Sequence, residues 1–155
     1  MKKLLFCCLV FLFASCNDKV TDVDVDYSTE FVGQYYTDTE FESYKTNQTW
    51  EVTRLDKNLL AIDYQILTSI TKPFKLERSE LIPLRNVQVV KAGNIKIDET
   101  VDLARDGKPV RVRVEGTGTS SLNDNKVMIV GTSFKITELD SNVETETEFL
   151  EFKKK

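Results

Sequence analysis

The 155-residue chain contains no histidine, and its three cysteines (Cys7, Cys8 and Cys16) all fall within the first sixteen residues. The first absence removes the commonest general acid–base. The crowding of cysteine at one end removes the Cys/His zinc and iron sites, a thiol nucleophile in the body of the chain and any disulfide framework. Carboxylate, lysine, serine and tyrosine chemistry is left. No Gly-x-Ser-x-Gly elbow or glycine-rich phosphate loop assembles it into a site. The expectation is a protein that is not an enzyme and carries no metal and no cofactor. Apolar runs are scarce too: after the first segment none has the length to span a membrane.

That first segment carries the strongest signal in the chain. Lys2 and Lys3 give a positive start, and residues 4–13 form an apolar run of about ten. Ala14 and Ser15 end it immediately before Cys16. Charge, short apolar stretch and small-residue exit make a secretory signal, too short for a permanent transmembrane helix. The exit Phe13-Ala14-Ser15-Cys16 resembles the lipobox of bacterial lipoproteins. That resemblance implies removal of residues 1–15 and lipid attachment at Cys16, so that the mature chain is held on a membrane. The expected location is the cell envelope, on the periplasmic or surface side of an outer membrane. An acyl anchor contributes about 0.8 kcal/mol per buried methylene, so two or three chains hold firmly where one does not.

Loss of Lys2 and Lys3 with the signal moves the net charge from -4 to -6. A modestly acidic chain is a poor match for nucleic acid, which rewards clustered Lys and Arg, and no nucleic-acid partner is expected. The basic run 153–155 reads as a solvated tail. Residues 16–29 read as the lipidated N-terminus and a flexible acidic tether. Asp22, Asp24 and Asp26 there have the spacing that opens a calcium loop. Tyr27 then stands where the loop needs glycine, and Gly33 where it needs a bidentate glutamate, so no metal is assigned.

From residue 30 on, the dominant period is two. Leu60, Ile62, Tyr64 and Ile66 alternate with Ala61, Asp63 and Gln65; Val110, Val112 and Val114 alternate with Arg111, Arg113 and Glu115. Ile95 and Ile97, and Met128, Val130, Phe134 and Ile136, follow the same rule. One apolar and one polar face is the pattern of antiparallel strands buried on one side. No stretch carries a capped helical stripe.

Turn residues punctuate the strands: 56–58, 92–94, 105–109, 123–125 and 140–142 are rich in Asp, Asn and Gly. The strands expected between them are 31–37, 50–55, 59–67, 87–91, 95–103, 110–121, 126–137 and 144–152. A further extended piece lies within 74–84, which Pro73 and Pro83 make an edge or an irregular connection. About eight sequential strands expose two edges unless the sheet closes, which predicts an all-β, antiparallel up-and-down β-barrel over 30–155. Gly116, Gly118 and Gly131 sit in its longest strands, where glycine marks a bulge or a bend.

Phe31-Val32-Gly33-Gln34-Tyr35 resembles the Gly-x-aromatic opening strand of lipocalin and calycin barrels. The later Ile82-Pro83-Leu84, Asn86-Val87, Gly93 and 112–118 are similar to the calycin-like β-barrel lipoproteins of Bacteroidetes. The resemblance covers 31–152 and implies small-ligand or lipid binding.

Trp50, Tyr64, Met128 and Phe134 each lie on the apolar face of a strand and are the candidate ligand-binding residues. An aromatic interior with few polar groups is how an apolar site is built. The first functional expectation is therefore a lipid-anchored barrel holding an apolar or amphipathic small molecule. The alternative is a solid barrel, since side chains alone can fill eight strands. Its surface would then dock another envelope protein, a glycan or a target enzyme.

Overall fold

The computed structural model describes residues 25–70, 75–105, 107–147 and 149–155. Cys16, the expected signal, most of the spacer, Pro73 and Phe74 lie outside the described residues.

The described residues are all-β apart from one turn of helix. In order it forms α1 (Ser28–Phe31), β1 (Gly33–Glu40), β2 (Tyr44–Asp56), β3 (Leu59–Ile70), β4 (Leu76–Lys91), β5 (Asn94–Arg105), β6 (Lys108–Leu122), β7 (Met128–Glu138), β8 (Val143–Glu146) and β9 (Leu150–Lys154). Each strand from β1 to β7 pairs antiparallel with the next, β7 pairs with β9, and β9 returns to β1. The result is a closed eight-stranded barrel with β8 as an extra strand on β7.

Alternation decides which side chains enter. In β6, Val112 and Val114 are wholly buried while Arg111 and Arg113 point out, the latter within 3.0 Å of Asp98 on β5. Each large apolar side chain so buried contributes about 1.5–3 kcal/mol. Tight turns set the registers. Lys57–Asn58 joins β2 to β3, with Asn58 at φ 52°, and Ala92–Gly93 joins β4 to β5, with Gly93 at φ 70°. Both conformations are ones that Asn and Gly reach at least cost.

The expected piece within 74–84 and the strand 87–91 are one continuous strand, β4. Its early part pairs with β3 through Leu76–Leu84, yet toward β5 it pairs only at Gln88, Val89 and Lys91. Pro83, with no N–H to give, lies in this one-sided stretch. Glu99 of β5 bridges the split: its Oε2 accepts the backbone N–H of Arg85 at 2.7 Å and of Asn86 at 2.8 Å. The expected strand 144–152 is broken in two. Thr147 Oγ1 accepts the N–H of Phe134 at 2.7 Å and its own N–H donates to Phe134 O at 2.8 Å, filling in for the ladder between β8 and β9.

No bulge accompanies Gly116, Gly118 or Gly131, because β5–β6 and β6–β7 run in unbroken register. Gly116 provides clearance instead: a Cβ there would stand 2.6 Å from the carbonyl oxygen of Ser133.

The two ends of the barrel differ. At one end α1 places Phe31 in the core, and Tyr35 Oη donates to Phe31 O at 2.9 Å. Asp26, expected in a hydrated spacer, is docked here. Its carboxylate accepts from Ser28 N–H at 2.9 Å, Asn58 N–H at 3.1 Å and Arg54 Nε at 2.8 Å. These bonds, led by the Ser28 hydroxyl, hold its pKa well below the usual carboxylate range. The opposite end, where the β1–β2, β3–β4, β5–β6 and β7–β8 connections lie, is open. Among the described residues no backbone pairing joins β4 to β5 or β1 to β8 at that end.

Candidate ligand cavity

The barrel interior falls into a packed lower half and a hollow mouth. The lower half is built on four aromatic rings. Trp50 stacks on Phe152 with centroids 4.1 Å apart, and meets Tyr64 and Phe134 edge-on at 6.1 and 5.7 Å. All four side chains are at most 2% exposed. Such pairs contribute about 0.5–1.5 kcal/mol each beyond the area they bury. Side chains in mutual contact fill this level. Trp50 Nε1 is left as a buried donor without a hydrogen-bond partner among the described residues.

One layer higher the packing stops. A cavity of about 440 Å³ opens toward the mouth, lined by Gln48, Tyr64, Ile66, Arg78, Glu80, Arg105 and Ile136, with Ser79, Ala104, Thr145 and Thr147 completing the wall. The volume falls within the range of small-molecule sites. Register explains its floor: Gln48 pairs with Ile66 and Ile66 with Glu80, one layer above the Trp50–Tyr64–Ile82 row. The Tyr64 hydroxyl donates to Gln48 Oε1. Burial, reinforced by the charge of Glu80, pushes the Tyr64 pKa above its ordinary value, so the phenol is neutral and stays a donor.

The rim is charged. Arg105 Nε lies 2.6 Å from Glu80 Oε1, tying β5 to β4 across the unpaired stretch, and its Nη1 lies 3.6 Å from Glu138 Oε1 on β7, beyond β6. Arg105 is 37% exposed and Glu80 21%, so solvent screens this network only in part. Arg78 stands further out and is exposed. The apolar, aromatic side chains expected from the strand pattern sit in the packed half, beneath the cavity. The cavity's walls mix Ile66, Ala104 and Ile136 with the hydroxyl residues Ser79, Thr145 and Thr147, its floor is polar and its rim carries both charges.

The four sequence candidates separate. Tyr64 lines the cavity; Trp50 and Phe134 lie in the packed half beneath it. Met128 is remote, near the plugged end, with its Sδ 3.2 Å from Tyr35 Oη. Gln48, Glu80 and Arg105 line the cavity beside Tyr64, and the alternation of apolar and polar residues does not mark them. Gln48 had a usable signal, a polar residue two positions from Trp50 and therefore on the same inward face. A second depression, of about 530 Å³, lies on the outer wall above Gly116 between Lys96, Asp98, Glu115 and Lys135. It is a shallow furrow left by a missing side chain, with no buried polar group converging on it.

The chain matches no protein-family model, no curated protein and no solved structure.

Proposed function

We propose that this protein is a lipid-anchored β-barrel of the cell envelope that holds a small amphipathic molecule in its mouth cavity. The observation that carries the reading is the join between packed base and hollow mouth. A barrel serving only as a solid block would fill its upper layers as it fills its lower ones. Here the filling stops at a buried Tyr64–Gln48 pair, beneath walls of mixed aliphatic and hydroxyl side chains and a charged rim. That lining suits a ligand with both polar and apolar parts better than a purely apolar one. The resemblance to calycin-like lipoproteins points the same way, and the Cys16 motif supports the envelope location.

The layout also supports an orientation. Val25, where the described chain begins, is held by Asn58 Nδ2 at 3.0 Å on the β2–β3 turn, at the plugged end. A lipid on Cys16 would reach the barrel from that side, leaving the mouth turned away from the membrane. The test is native mass spectrometry of the full chain released gently from envelopes. A discrete adduct that solvent extraction removes and added amphiphiles restore is the expected result. A chain that is always empty and takes up no amphiphile overturns the reading.

A second reading rests on a separate feature. Phe41 and Tyr44 stack with centroids 4.5 Å apart at the tip of the β1–β2 hairpin, and both are exposed, at 47% and 37%. An exposed aromatic pair beside the mouth suits contact with a glycan or with another envelope protein. Loss of a reproducible crosslinked partner in Phe41→Ser/Tyr44→Ser would support docking. Unchanged crosslinking would remove it.

A further inference from the structure

We infer that the plugged end of the barrel is a membrane-contact face, which rests on an anionic lipid surface beside the Cys16 anchor. This rests on the anchoring proposed above and not on the cavity, and it names the residues through which the folded domain meets the bilayer.

Topology gathers the parts. In an up-and-down barrel alternate connections share an end, so the β2–β3, β4–β5 and β6–β7 turns lie together, two strands apart around the rim. The start of β1 and the end of β9 make the fourth corner. Each of the three turns raises an aliphatic side chain into solvent: Leu55 is 51% exposed, Val90 58% and Leu122 66%. Val32 adds a fourth at the remaining corner. Hairpin tips are ordinarily the place for Asp, Asn and Gly. An exposed aliphatic at every corner of one end suits shallow insertion at the boundary between lipid headgroups and acyl chains.

Charge separates this end from the other. Lys91 follows Val90, Lys126 closes the β6–β7 turn, and residues 153–155 add three lysines. That last run, expected as a solvated tail, is held in place: Lys154 and Lys155 lie over the rings of Tyr35 and Tyr36, at 5.6 and 6.0 Å. Among the described residues the acids of this end are Asp26, Glu30, Asp56 and Asp124, and Asp26 is paired with Arg54 at 2.8 Å. The plugged end thus carries a surplus of positive charge on a chain whose net charge is -4. The mouth also exposes apolar side chains, Phe41 and Leu139 among them, but sets them among Asp38, Glu40, Glu42 and Asp140. An anionic bilayer surface attracts the first arrangement and repels the second.

The chain enters at the same place. Val25 O accepts from Asn58 Nδ2 at 3.0 Å on the β2–β3 turn, and eight residues separate Val25 from Cys16. Even at full extension that link spans no more than about 30 Å. A lipid on Cys16 therefore keeps the four corners close to the bilayer, and contact becomes an intramolecular event that weak forces can sustain.

The test uses the full chain, lipidated and reconstituted into vesicles of equal parts phosphatidylcholine and phosphatidylglycerol. Leu55→Cys, Val90→Cys and Leu122→Cys each carry a fluorophore at the plugged end, and Leu139→Cys carries it at the mouth. All four side chains are exposed, so the fold tolerates the change. A nitroxide-bearing lipid is expected to quench the three plugged-end labels roughly threefold more than the Leu139 label. Lys91→Glu/Lys126→Glu is expected to narrow that difference, as is phosphatidylcholine alone.

Equal quenching at the two ends overturns the inference and leaves the anchor standing. Plugged-end labels that are shielded from aqueous iodide yet out of reach of the nitroxide lipid also overturn it, and make a second copy of the chain the occupant. A difference that is the same in phosphatidylcholine alone overturns the choice of an anionic surface. If the unlabelled parent does not float with the vesicles and its N-terminal peptide carries no lipid, the anchoring itself falls and takes this inference with it.

Discussion

Glu99 offers the sharpest test of how the barrel wall holds together. It is a half-buried carboxylate on β5, and it accepts two backbone N–H groups of β4 that no strand pairing satisfies, at 2.7 and 2.8 Å. A hydrogen bond to a charged group contributes about 1.5–3 kcal/mol when sheltered, and a partly exposed one contributes less. Glu99→Ala removes both and leaves Arg85 and Asn86 to find water, so a loss of about 2–3 kcal/mol is expected. For a chain of this length each kcal/mol shifts Tm by about 2–4 °C, giving a drop on the order of 4–12 °C. Glu99→Gln keeps an acceptor oxygen and loses only the charge, so about half that cost is expected. Urea unfolding followed by Trp50 fluorescence measures both, and the slope m should not change. Hydrogen exchange at the amides of Arg85 and Asn86 should quicken in Glu99→Ala. A loss below about 0.5 kcal/mol, or unaltered exchange at those two amides, would refute the account of the β4–β5 split.

Three further outcomes are expected. Gly116→Ala places a Cβ 2.6 Å from the backbone oxygen of Ser133 and should cost about 1–3 kcal/mol. Gly131→Ala meets the exposed ring of Phe149, which can swing away, and should be close to neutral; matched urea titrations compare them. Burial raises the pKa of Tyr35 from 10.0 to about 12, so its folded form resists ionisation. That contribution is complete below pH 10 and is lost as pH rises through about 12, and unfolding scans from pH 9 to 12 should show stability falling in Tyr35→Phe less steeply than in the parent. Cys16→Ser should move the protein from the membrane fraction to the soluble fraction, and the parent's N-terminal peptide should carry the mass of a lipid.

Legibility in the sequence followed a single rule and failed where the molecule departs from it. Strands such as β6 and β7 were readable because their inward residues are apolar, so a period of two shows at once. In β4 the inward residues near the mouth include Arg78 and Glu80, and alternation assigns such residues to solvent. The signal that located the barrel thus concealed its cavity. The docking of Asp26 has no local signal, because its partners Arg54 and Asn58 lie 28 and 32 residues away in sequence. The break between β8 and β9 rests on Thr147 imitating backbone at Phe134, a contact between segments 13 residues apart that no local pattern announces.

The incomplete pairing of β4 with β5, and of β1 with β8, makes the barrel a cup seamed at its foot and unstitched at its lip. Spreading that lip at the β4–β5 gap would part Arg105 from Glu80 while leaving every strand ladder whole; the contact of Arg105 with Glu138 stays, because unbroken β5–β6 and β6–β7 ladders join their strands. On the binding role proposed above, a guest bulkier than the resting hollow would enter at the expense of one partly screened ion pair, and the aromatic foot would not have to yield.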